Sequence, residues 1–183
     1  MDIIKTEIDG VVIIKPSVFK DDRGYFFESF SEKKFFSAVG QVHFVQDNES
    51  KSVRNVVRGL HFQKPPHTQS KLVRVVKGRV LDIAVDLRKS SPTFGKHVAV
   101  ELTDENHLQL FIPKGFAHGF AVLSDEAVFQ YKCDDFYAPQ SEGAILWNDP
   151  DLNIDWKVSE EDAIISSKDM RNPRLCDSEF LFD

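Results

Sequence analysis

Six short apolar runs in the middle of the chain, each followed by a turn signal, constrain its fold more than any other feature. They are rich in β-branched and aromatic residues and span 71–76, 79–87, 96–102, 108–112, 116–123 and 127–133. The turns between them carry Gly, Pro, Ser, Asp or Asn. Short strands at this spacing, without long helices between them, are typical of an all-β sandwich or barrel. We therefore predict an all-β fold, a double-stranded jelly-roll β-barrel.

The N-terminal part of the chain predicts an arm outside this barrel. Two apolar runs between Ile3 and Ile14 flank the turn-prone Asp9-Gly10, which predicts a pair of strands. A polar turn follows, and residues 25–30 then resemble another strand. We expect these strands to form an N-terminal strand arm.

Two helix signals predict a few short peripheral helices. Residues 31–36 begin with a serine and are followed by Gly40, as expected for a short helix with a serine cap and a glycine stop. Residues 159–167 begin with a capping-box-like Ser-Glu-Glu-Asp and predict a short C-terminal helical segment. We expect a single domain over residues 1–183, because the length suits one domain and no repeat or linker interrupts it.

Charge and composition exclude several classes of protein. The formal net charge of −6 argues against nucleic acid or an anionic membrane as a partner. The acidic start lacks the pattern of a signal peptide, and no run approaches the ~20 apolar residues of a membrane span, so we expect a cytoplasmic protein. Cys133 and Cys176 are too few and too far apart for a disulfide framework, and we expect free thiols.

A first candidate site combines a histidine with a lysine. His61 ends the motif Arg58-Gly59-Leu60-His61, and Lys71 begins the strongest predicted strand shortly afterwards. Imidazole exchanges protons near neutral pH, and an ammonium group beside it stabilises a developing oxyanion. The alternative is a core or loop histidine beside a surface lysine.

A second histidine raises the question of a metal. His118 follows the turn Pro113-Lys114-Gly115, and this stretch resembles the second signature of cupins. Histidines in a β-barrel can bind zinc or non-haem iron. The metal-binding cupin signature has a His-x-His pair, however, and here Phe62 and Gln63 follow His61. We therefore expect no metal.

A tyrosine and an aspartate complete the candidates. A period of two places Phe129, Tyr131 and Cys133 on one strand face, and an inward phenol could donate a proton to a ligand. The alternative for Tyr131 is a buried aromatic side chain whose hydroxyl forms a hydrogen bond with the backbone.

Asp169 could orient an imidazole and stabilise its protonated form. The alternative for Asp169 is a solvated charge at the end of a helix.

These residues occur in an ordered set that resembles the dTDP-4-dehydrorhamnose 3,5-epimerase family. The resemblance runs from about Ile3 to Asp169 and includes Phe19 to Phe26, Gln46-Asp47-Asn48, Arg58 to His61, Lys71, Pro113 to His118, Tyr131-Lys132-Cys133 and Trp147 to Pro150. It implies a cupin-like jelly roll that needs no metal or cofactor. It also implies a homodimer in which N-terminal strands cross to the partner.

The resemblance further implies an activity and its residues. The expected reaction is epimerisation at C3 and C5 of dTDP-4-dehydro-6-deoxy-D-glucose to dTDP-4-dehydro-L-rhamnose, in dTDP-L-rhamnose biosynthesis. His61 is the implied proton acceptor, supported by Asp169, Tyr131 is the proton donor, and Lys71 lies by the keto oxygen. The implied substrate-binding positions are Arg23, Phe26, Glu28, Gln46, Asn48, Arg58, Lys71, His118, Glu142 and Lys168, with Phe26 meeting the thymine.

Other functions remain open at this point. An epimerase acting at C3 or C5 alone, or a 3,4-ketoisomerase of a dTDP-4-keto sugar, would use the same proton-transfer residues. A non-catalytic sugar-nucleotide-binding cupin would use the arginines and leave His61 structural. A metal-dependent cupin oxygenase is least compatible with the missing His-x-His pair.

Overall fold

The computed structural model describes residues 1–183 and contains thirteen strands and one α-helix. The strands are β1 (Asp2–Lys5), β2 (Val12–Lys15), β3 (Phe19–Asp21), β4 (Gly24–Phe26), β5 (Gln46–Val53), β6 (Val57–Gln63), β7 (Lys71–Lys77), β8 (Arg79–Asp86), β9 (His97–Thr103), β10 (Gln109–Ile112), β11 (Phe116–Val122), β12 (Glu126–Cys133) and β13 (Glu142–Ala144). Helix α1 spans Glu32–Ala38, and 3₁₀ turns span Pro139–Ser141, Asp169–Arg171 and Leu175–Asp177. No helix is long and apolar enough to cross a bilayer.

The strands form two large sheets and one small hairpin. The six-stranded sheet has the order β1-β2-β10-β7-β12-β5, and the five-stranded sheet has the order β13-β6-β11-β8-β9. Strands β3 and β4 form the separate hairpin. Every neighbouring pair is antiparallel. The all-β prediction is therefore confirmed, although the two sheets do not close into one barrel.

The main hydrophobic core lies between the two sheets. Val73 and Phe129 come from the six-stranded sheet, Ala84 and Phe120 come from the five-stranded sheet, and all four belong to one buried cluster. Because successive side chains on a strand point to opposite faces, alternate residues of the strands from β7 to β12 supply most of this core. The inner face of each sheet is the face that carries these buried side chains.

Each sheet also has a covered outer face. Phe35 of α1 packs with Phe111 on the outside of the six-stranded sheet. Trp147 and Trp156, in the segment after β13, pack with Leu60 on the outside of the five-stranded sheet. Strands buried on both faces are expected to be largely apolar, and β11 is apolar apart from His118.

Most predicted elements are confirmed. The six predicted central strands are present within one residue or so of their predicted ends, and the two N-terminal strands and the helix after Ser31 are also present. The side chain of Ser31 makes no capping hydrogen bond, however. The strand predicted over 25–30 ends at Phe26.

The helix predicted over 159–167 is wrong. Ser159 accepts from the backbone N–H of Asp162 at 3.2 Å, but this cap starts only a single turn. Ile164 then donates to Asn55 O at 2.9 Å and accepts from Val57 N at 3.1 Å, so it joins the start of β6 in an isolated bridge. Strand pairing of an apolar residue overrides the local capping signal here. The C-terminal segment contains only 3₁₀ turns.

Candidate active site

A cavity of about 570 Å³ opens between the two sheets. Its wall includes residues from β5, β6, β7, β12 and β13, together with residues of the C-terminal segment. The lining side chains are Gln46, Asn48, His61, Phe62, Gln63, Gln69, Lys71, Tyr131, Cys133, Tyr137, Pro139, Glu142, Lys168 and Asn172, with Gly143 and Ala144. Seven of the predicted site residues are among them.

Strand alternation explains why these side chains meet. On β6, Leu60 and Phe62 pack in the outer cluster, so His61 between them points into the space between the sheets. On β12, Phe129 belongs to the inner core and Tyr131 packs against it from the same face. Lys71 lies two residues before the inward Val73 and therefore shares its face.

His61 is bound to Asp169 at one ring nitrogen. His61 Nε2 lies 2.6 Å from Asp169 Oδ1, and the carboxylate is almost fully buried whereas the imidazole is 42% exposed. Burial alone would raise the pKa of Asp169, but the hydrogen bond and charge of His61 outweigh burial and lower that pKa. An ionised carboxylate only accepts, so Nε2 carries the proton. His61 Nδ1 has no hydrogen-bond partner in the protein.

Lys71 places its ammonium group in the cavity. It forms no ion pair or hydrogen bond with a protein group, and its Nζ lies 5.9 Å from the ring centroid of Tyr131. Because no ion pair occupies it, the ammonium group is available to a negatively charged group that enters the cavity. Burial is the main reason why the pKa of Lys71 is lowered.

Tyr131 presents an unpaired phenol to the same cavity. Its hydroxyl has no partner in the protein, so the alternative of a backbone-bonded core tyrosine does not apply. Burial is the main reason why the pKa of Tyr131 is raised. The phenol therefore keeps its proton at neutral pH and can donate it.

His118 lies behind the cavity wall instead of in it. The ring is 7% exposed, and its Nε2 lies 3.0 and 3.2 Å from the two carboxylate oxygens of Asp82. Burial lowers the pKa of His118 and raises that of Asp82. The predicted direct contact of His118 with a ligand in this cavity is not supported by its place in the protein.

Two glycines allow β6 and β11 to approach each other beside the histidines. His61 and His118 are directly opposite in the register of these strands. A Cβ on Gly119 would lie 2.7 Å from the backbone oxygen of Arg58, and one on Gly59 would lie 2.6 Å from the Cα of Gly119. Gly59 also has a φ of +137°, which side-chain-bearing residues rarely adopt.

The rim of the cavity carries polar pairs. Gln46 Nε2 donates to Asn48 Oδ1 at 3.0 Å on β5. Across the opening, Tyr137 donates from its hydroxyl to Glu142 Oε1 at 2.9 Å, and Lys168 forms an ion pair with Glu142. The rim therefore offers amide, carboxylate and ammonium groups to a polar ligand.

Besides His118 and Asp169, four predicted site residues lie outside the cavity wall. Arg23 is 89% exposed and pairs with Asp21, and Phe26 is 70% exposed on β4. Glu28 forms an ion pair with Lys34. Arg58 is exposed and donates from Nε to Ser52 Oγ at 3.1 Å.

Several residues of the site were missed by the sequence analysis. Gln63 is two residues after His61, so the period of two could have placed it on the same face. Asp82 was detectable as a charge within the apolar strand β8. Tyr137, Gln69 and Asn172 lie in irregular segments, where no periodicity indicates direction. No group of three or more His, Cys, Asp or Glu side chains is arranged to hold a metal ion.

Comparison with known proteins gives one consistent result. A family model described as dTDP-4-dehydrorhamnose 3,5-epimerase matches residues 5–177. A protein of that name from Shigella flexneri is 55% identical over 98% of this chain and 99% of its own length. The crystal structure of the protein of that name from Elizabethkingia anophelis has a TM-score of 0.94 at 54% identity, covering 98% of this chain and 99% of that one.

A second solved structure adds a ligand. The dTDP-6-deoxy-D-glucose-3,5-epimerase from Legionella pneumophila, solved in complex with dTDP-4-keto-L-rhamnose, has a TM-score of 0.92 at 50% identity and covers 96% of this chain and 93% of that one. The similarity is thus high in both sequence and structure, and it extends from end to end. The chain belongs to the dTDP-4-dehydrorhamnose 3,5-epimerase family.

Proposed function

We propose that this chain epimerises dTDP-4-dehydro-6-deoxy-D-glucose at C3 and C5, giving dTDP-4-dehydro-L-rhamnose for dTDP-L-rhamnose biosynthesis. One observation carries the proposal beyond the family. His61 enters the cavity from the five-stranded sheet, whereas Tyr131 enters it from the six-stranded sheet. A base and an acid on opposite walls can remove a proton from one face of a sugar ring and return one to the other.

The C4 ketone makes two centres reactive in the same way. Carbons C3 and C5 both flank the carbonyl, so loss of a proton from either leaves an enolate. His61 takes that proton at Nδ1, the nitrogen without a protein partner, while Asp169 stabilises the imidazolium through Nε2. Tyr131 then protonates the carbon from the opposite side. Only protons are exchanged, so the reaction has no need of a redox cofactor.

Lys71 stabilises the enolate oxygen in this mechanism. Its ammonium group is in the cavity and forms no direct ion pair with a carboxylate, although the charge of Asp82 acts on it. In the restricted space between the sheets, a fixed positive charge favours the developing negative charge more strongly than it would in water. His118 and Asp82 support this wall from behind.

The rim residues bind the sugar nucleotide. Gln46, Asn48 and Glu142 supply hydrogen-bonding groups, and Lys168 supplies positive charge for the diphosphate. Arg58 adds a second cation beside the opening. These assignments agree with the roles that the family resemblance implies.

The remaining predicted binding residues reach a second copy of the chain. Arg23, Phe26 and Glu28 are exposed on or after the β3–β4 hairpin and lie outside their own cavity. The hairpin also exposes Phe19 and Tyr25, which is unusual for aromatic side chains in a monomer. In a homodimer, each hairpin would extend over the partner's cavity and complete its substrate site.

The finer fold assignment follows from the strand order. From β5 to β13, successive strands lie in opposite sheets except for the hairpin β8–β9. This alternation is the hallmark of a jelly roll, and we infer that the two sheets form a cupin-like one. The sugar-nucleotide substrate favours a cytoplasmic enzyme.

Deuterium exchange tests the function directly. The protein is incubated with dTDP-4-dehydro-6-deoxy-D-glucose in D₂O, and label at C3 and C5 is followed by NMR. We expect uptake at both carbons, loss of uptake in His61→Asn, and normal uptake in the control His43→Asn, whose ring is exposed away from the cavity.

Other outcomes would select the alternatives. Uptake at one carbon would make this a single-centre epimerase. A 3-keto product would identify a ketoisomerase, and binding without exchange or product would identify a non-catalytic binding protein.

A further inference from the structure

An irregular segment beside the cavity has four backbone groups bound by glutamine side chains. Its other contacts join Asp134 to Ser70 and Lys114, Asp135 to His67, and the Tyr137 hydroxyl to Glu142. Residues 134–138 connect β12 to the 3₁₀ turn Pro139–Ser141 and contain no strand or helix. Tyr137 of this segment forms part of the cavity wall. Such a segment lacks the backbone pairing that fixes a strand, so other groups must determine where Tyr137 lies.

Four consecutive residues of the segment each bond to a glutamine. Gln69 Nε2 donates to Asp135 O at 2.8 Å, and Gln63 Nε2 donates to Phe136 O at 3.2 Å. Gln46 Oε1 accepts from Tyr137 N at 3.0 Å, and Gln63 Oε1 accepts from Ala138 N at 2.7 Å. We call Gln46, Gln63 and Gln69 the glutamine clamp.

Gln63 is the central member of the glutamine clamp. It is 5% exposed, and its second amide hydrogen goes to His67 O at 2.7 Å. One side-chain amide therefore ties together two mouth segments, 64–70 and 134–138. Both donors and the acceptor are used, so neither a hydrocarbon nor a carboxylate of the same length could replace the amide.

Gln63 has no bond to the proton-transfer residues. It makes no hydrogen bond with His61, Tyr131 or Lys71, although it lies two residues from His61 on the same face of β6. Its bonds reach only backbone groups of the two mouth segments. Gln63 lines the cavity, but these bonds use both of its amide hydrogens and its amide oxygen, so its influence on the reaction passes through the shape of the cavity opening.

We propose that Gln63 is a positioning residue that fixes the Tyr137 wall of the cavity and thereby sets how tightly substrate is bound. The proposal rests on the proposed epimerase function. Loss of the amide leaves backbone groups of residues 136 and 138 without partners, and the segment then populates positions in which Tyr137 no longer lines the cavity. Substrate binding weakens, while His61 and Tyr131 still exchange protons with the substrate that does bind.

The test is Gln63→Met, which keeps the length of the side chain and removes the amide. We expect KM to rise about 10-fold with kcat within about 2-fold of the parent, the pattern of lost binding common to ground and transition states. The pH profile of kcat should not change. In hydrogen exchange followed by mass spectrometry, the peptide covering 134–140 should exchange at least about 10-fold faster, with β7 and β11 unchanged.

Two further variants make the result specific. Gln41→Met alters an exposed glutamine outside the cavity and should match the parent. Gln69→Met removes one bond of the glutamine clamp and should raise KM and local exchange by a smaller factor. If Gln63→Met does not fold, Gln69→Met provides the test instead.

The outcomes separate this proposal from the function on which it rests. If the parent protein does not turn over the sugar nucleotide, the proposed function fails, and the exchange measurement still reports on the glutamine clamp. If the parent is active and the folded Gln63→Met keeps its KM and its local exchange, the positioning role is overturned. A fall in kcat at constant KM would also overturn it.

Discussion

Lys71 places an ammonium group in a confined space without giving it a protein partner. Removing a cation from an ion pair would leave an orphaned carboxylate, but Lys71 forms no ion pair, and Asp82 acts on it only through its charge. The charge therefore contributes to the chemistry of a bound ligand more than to the fold. A substitution at Lys71 should therefore report on electrostatic catalysis with little accompanying change in stability.

We expect Lys71→Ala to lower kcat by about 10²-fold or more, because the enolate oxygen loses its only fixed cation. KM should change far less, since the charge on that oxygen develops only during the reaction. Steady-state kinetics with unfolding curves for both proteins would test this. Unchanged kcat would remove Lys71 from the mechanism.

The pH dependence of kcat gives a second test of Lys71, with Lys71→Arg as the conservative comparison. Burial lowers the pKa of Lys71, so the ammonium form is lost as pH rises, and this occurs at a lower pH than for an ordinary lysine. The alkaline fall in kcat should therefore begin below pH 10.5, the usual lysine value. In Lys71→Arg the charge persists, and that alkaline fall should be lost from whatever activity remains.

The chemistry-bearing residues are easier to predict from the sequence than the groups that they contact. Tyr131 faces the cavity as the period of two predicts, because alternation is a local property of a strand. The hydrogen bond between His61 and Asp169 joins residues 108 positions apart in the sequence. No local sequence pattern predicts a contact over that separation. His118 illustrates the converse, since its motif was recognised but its burial against Asp82 depends on the neighbouring strand β8.

At the scale of elements, the end of β8 is held by a buried carboxylate. Asp86 is fully buried and accepts from Arg88 at 2.8 Å, from Ser91 Oγ at 2.6 Å and from Thr93 Oγ1 at 2.7 Å. Burial alone would raise the pKa of Asp86, but these donors outweigh burial and lower it to about 2. The loop after β8 is thus tied to an ionised group.

We expect Asp86→Asn to lower the free energy of unfolding by about 2 kcal/mol at pH 7. The folded carboxyl binds a proton more weakly than the unfolded one, so its contribution is complete above about pH 4 and is lost as pH falls through about 2. Urea unfolding at several pH values should show the difference from the parent shrinking below pH 4.

A matched variant distinguishes burial from charge. Asp125 also pairs with an arginine, Arg54, but its side chain is 95% exposed. Asp125→Asn should change stability little at any pH, because exposed ion pairs contribute little. Equal losses in both variants would contradict the role given to the buried Asp86.

The central strands that the sequence predicted share a property that the missed strand β5 lacks. The strands from β7 to β12 are apolar and are separated by turn residues, so composition and periodicity agree. Strand β5 places Asp47, Glu49 and Lys51 at alternate positions on an exposed face, which hides its pairing with β12. The wrong helix after Ser159 fails because Ile164 finds a strand partner that is distant in sequence.

For the whole molecule, the proposed homodimer makes the β3–β4 hairpin part of the partner's site. If Arg23 and Phe26 act in the partner's cavity, a chain lacking them and a chain lacking His61 should complement each other. We expect co-expressed His61→Asn and the double variant Arg23→Ala, Phe26→Ala to regain roughly a quarter of parental activity in a symmetric dimer. Each variant alone should be strongly impaired, and turnover assays on the purified mixture would measure the gain.

The control places all three substitutions in one chain, expressed with the parent. That pair contains no intact hybrid site, so its activity should come from parental dimers alone. Absence of complementation in a mixture shown to contain hybrid dimers would mean that the hairpin acts within its own subunit or not at all.

The alternation along β6 also bears on protein engineering. Leu60 faces a cluster of aromatic and aliphatic side chains and is not part of the cavity wall, whereas the neighbouring His61 faces the cavity. Conservative apolar exchanges at outward positions alter packing by modest amounts, whereas inward exchanges alter what the cavity accepts. A library of variants selected for heat tolerance and a library selected for new sugar substrates can therefore vary different residues of the same strand. Substitutions selected from the two libraries should be combinable in one protein.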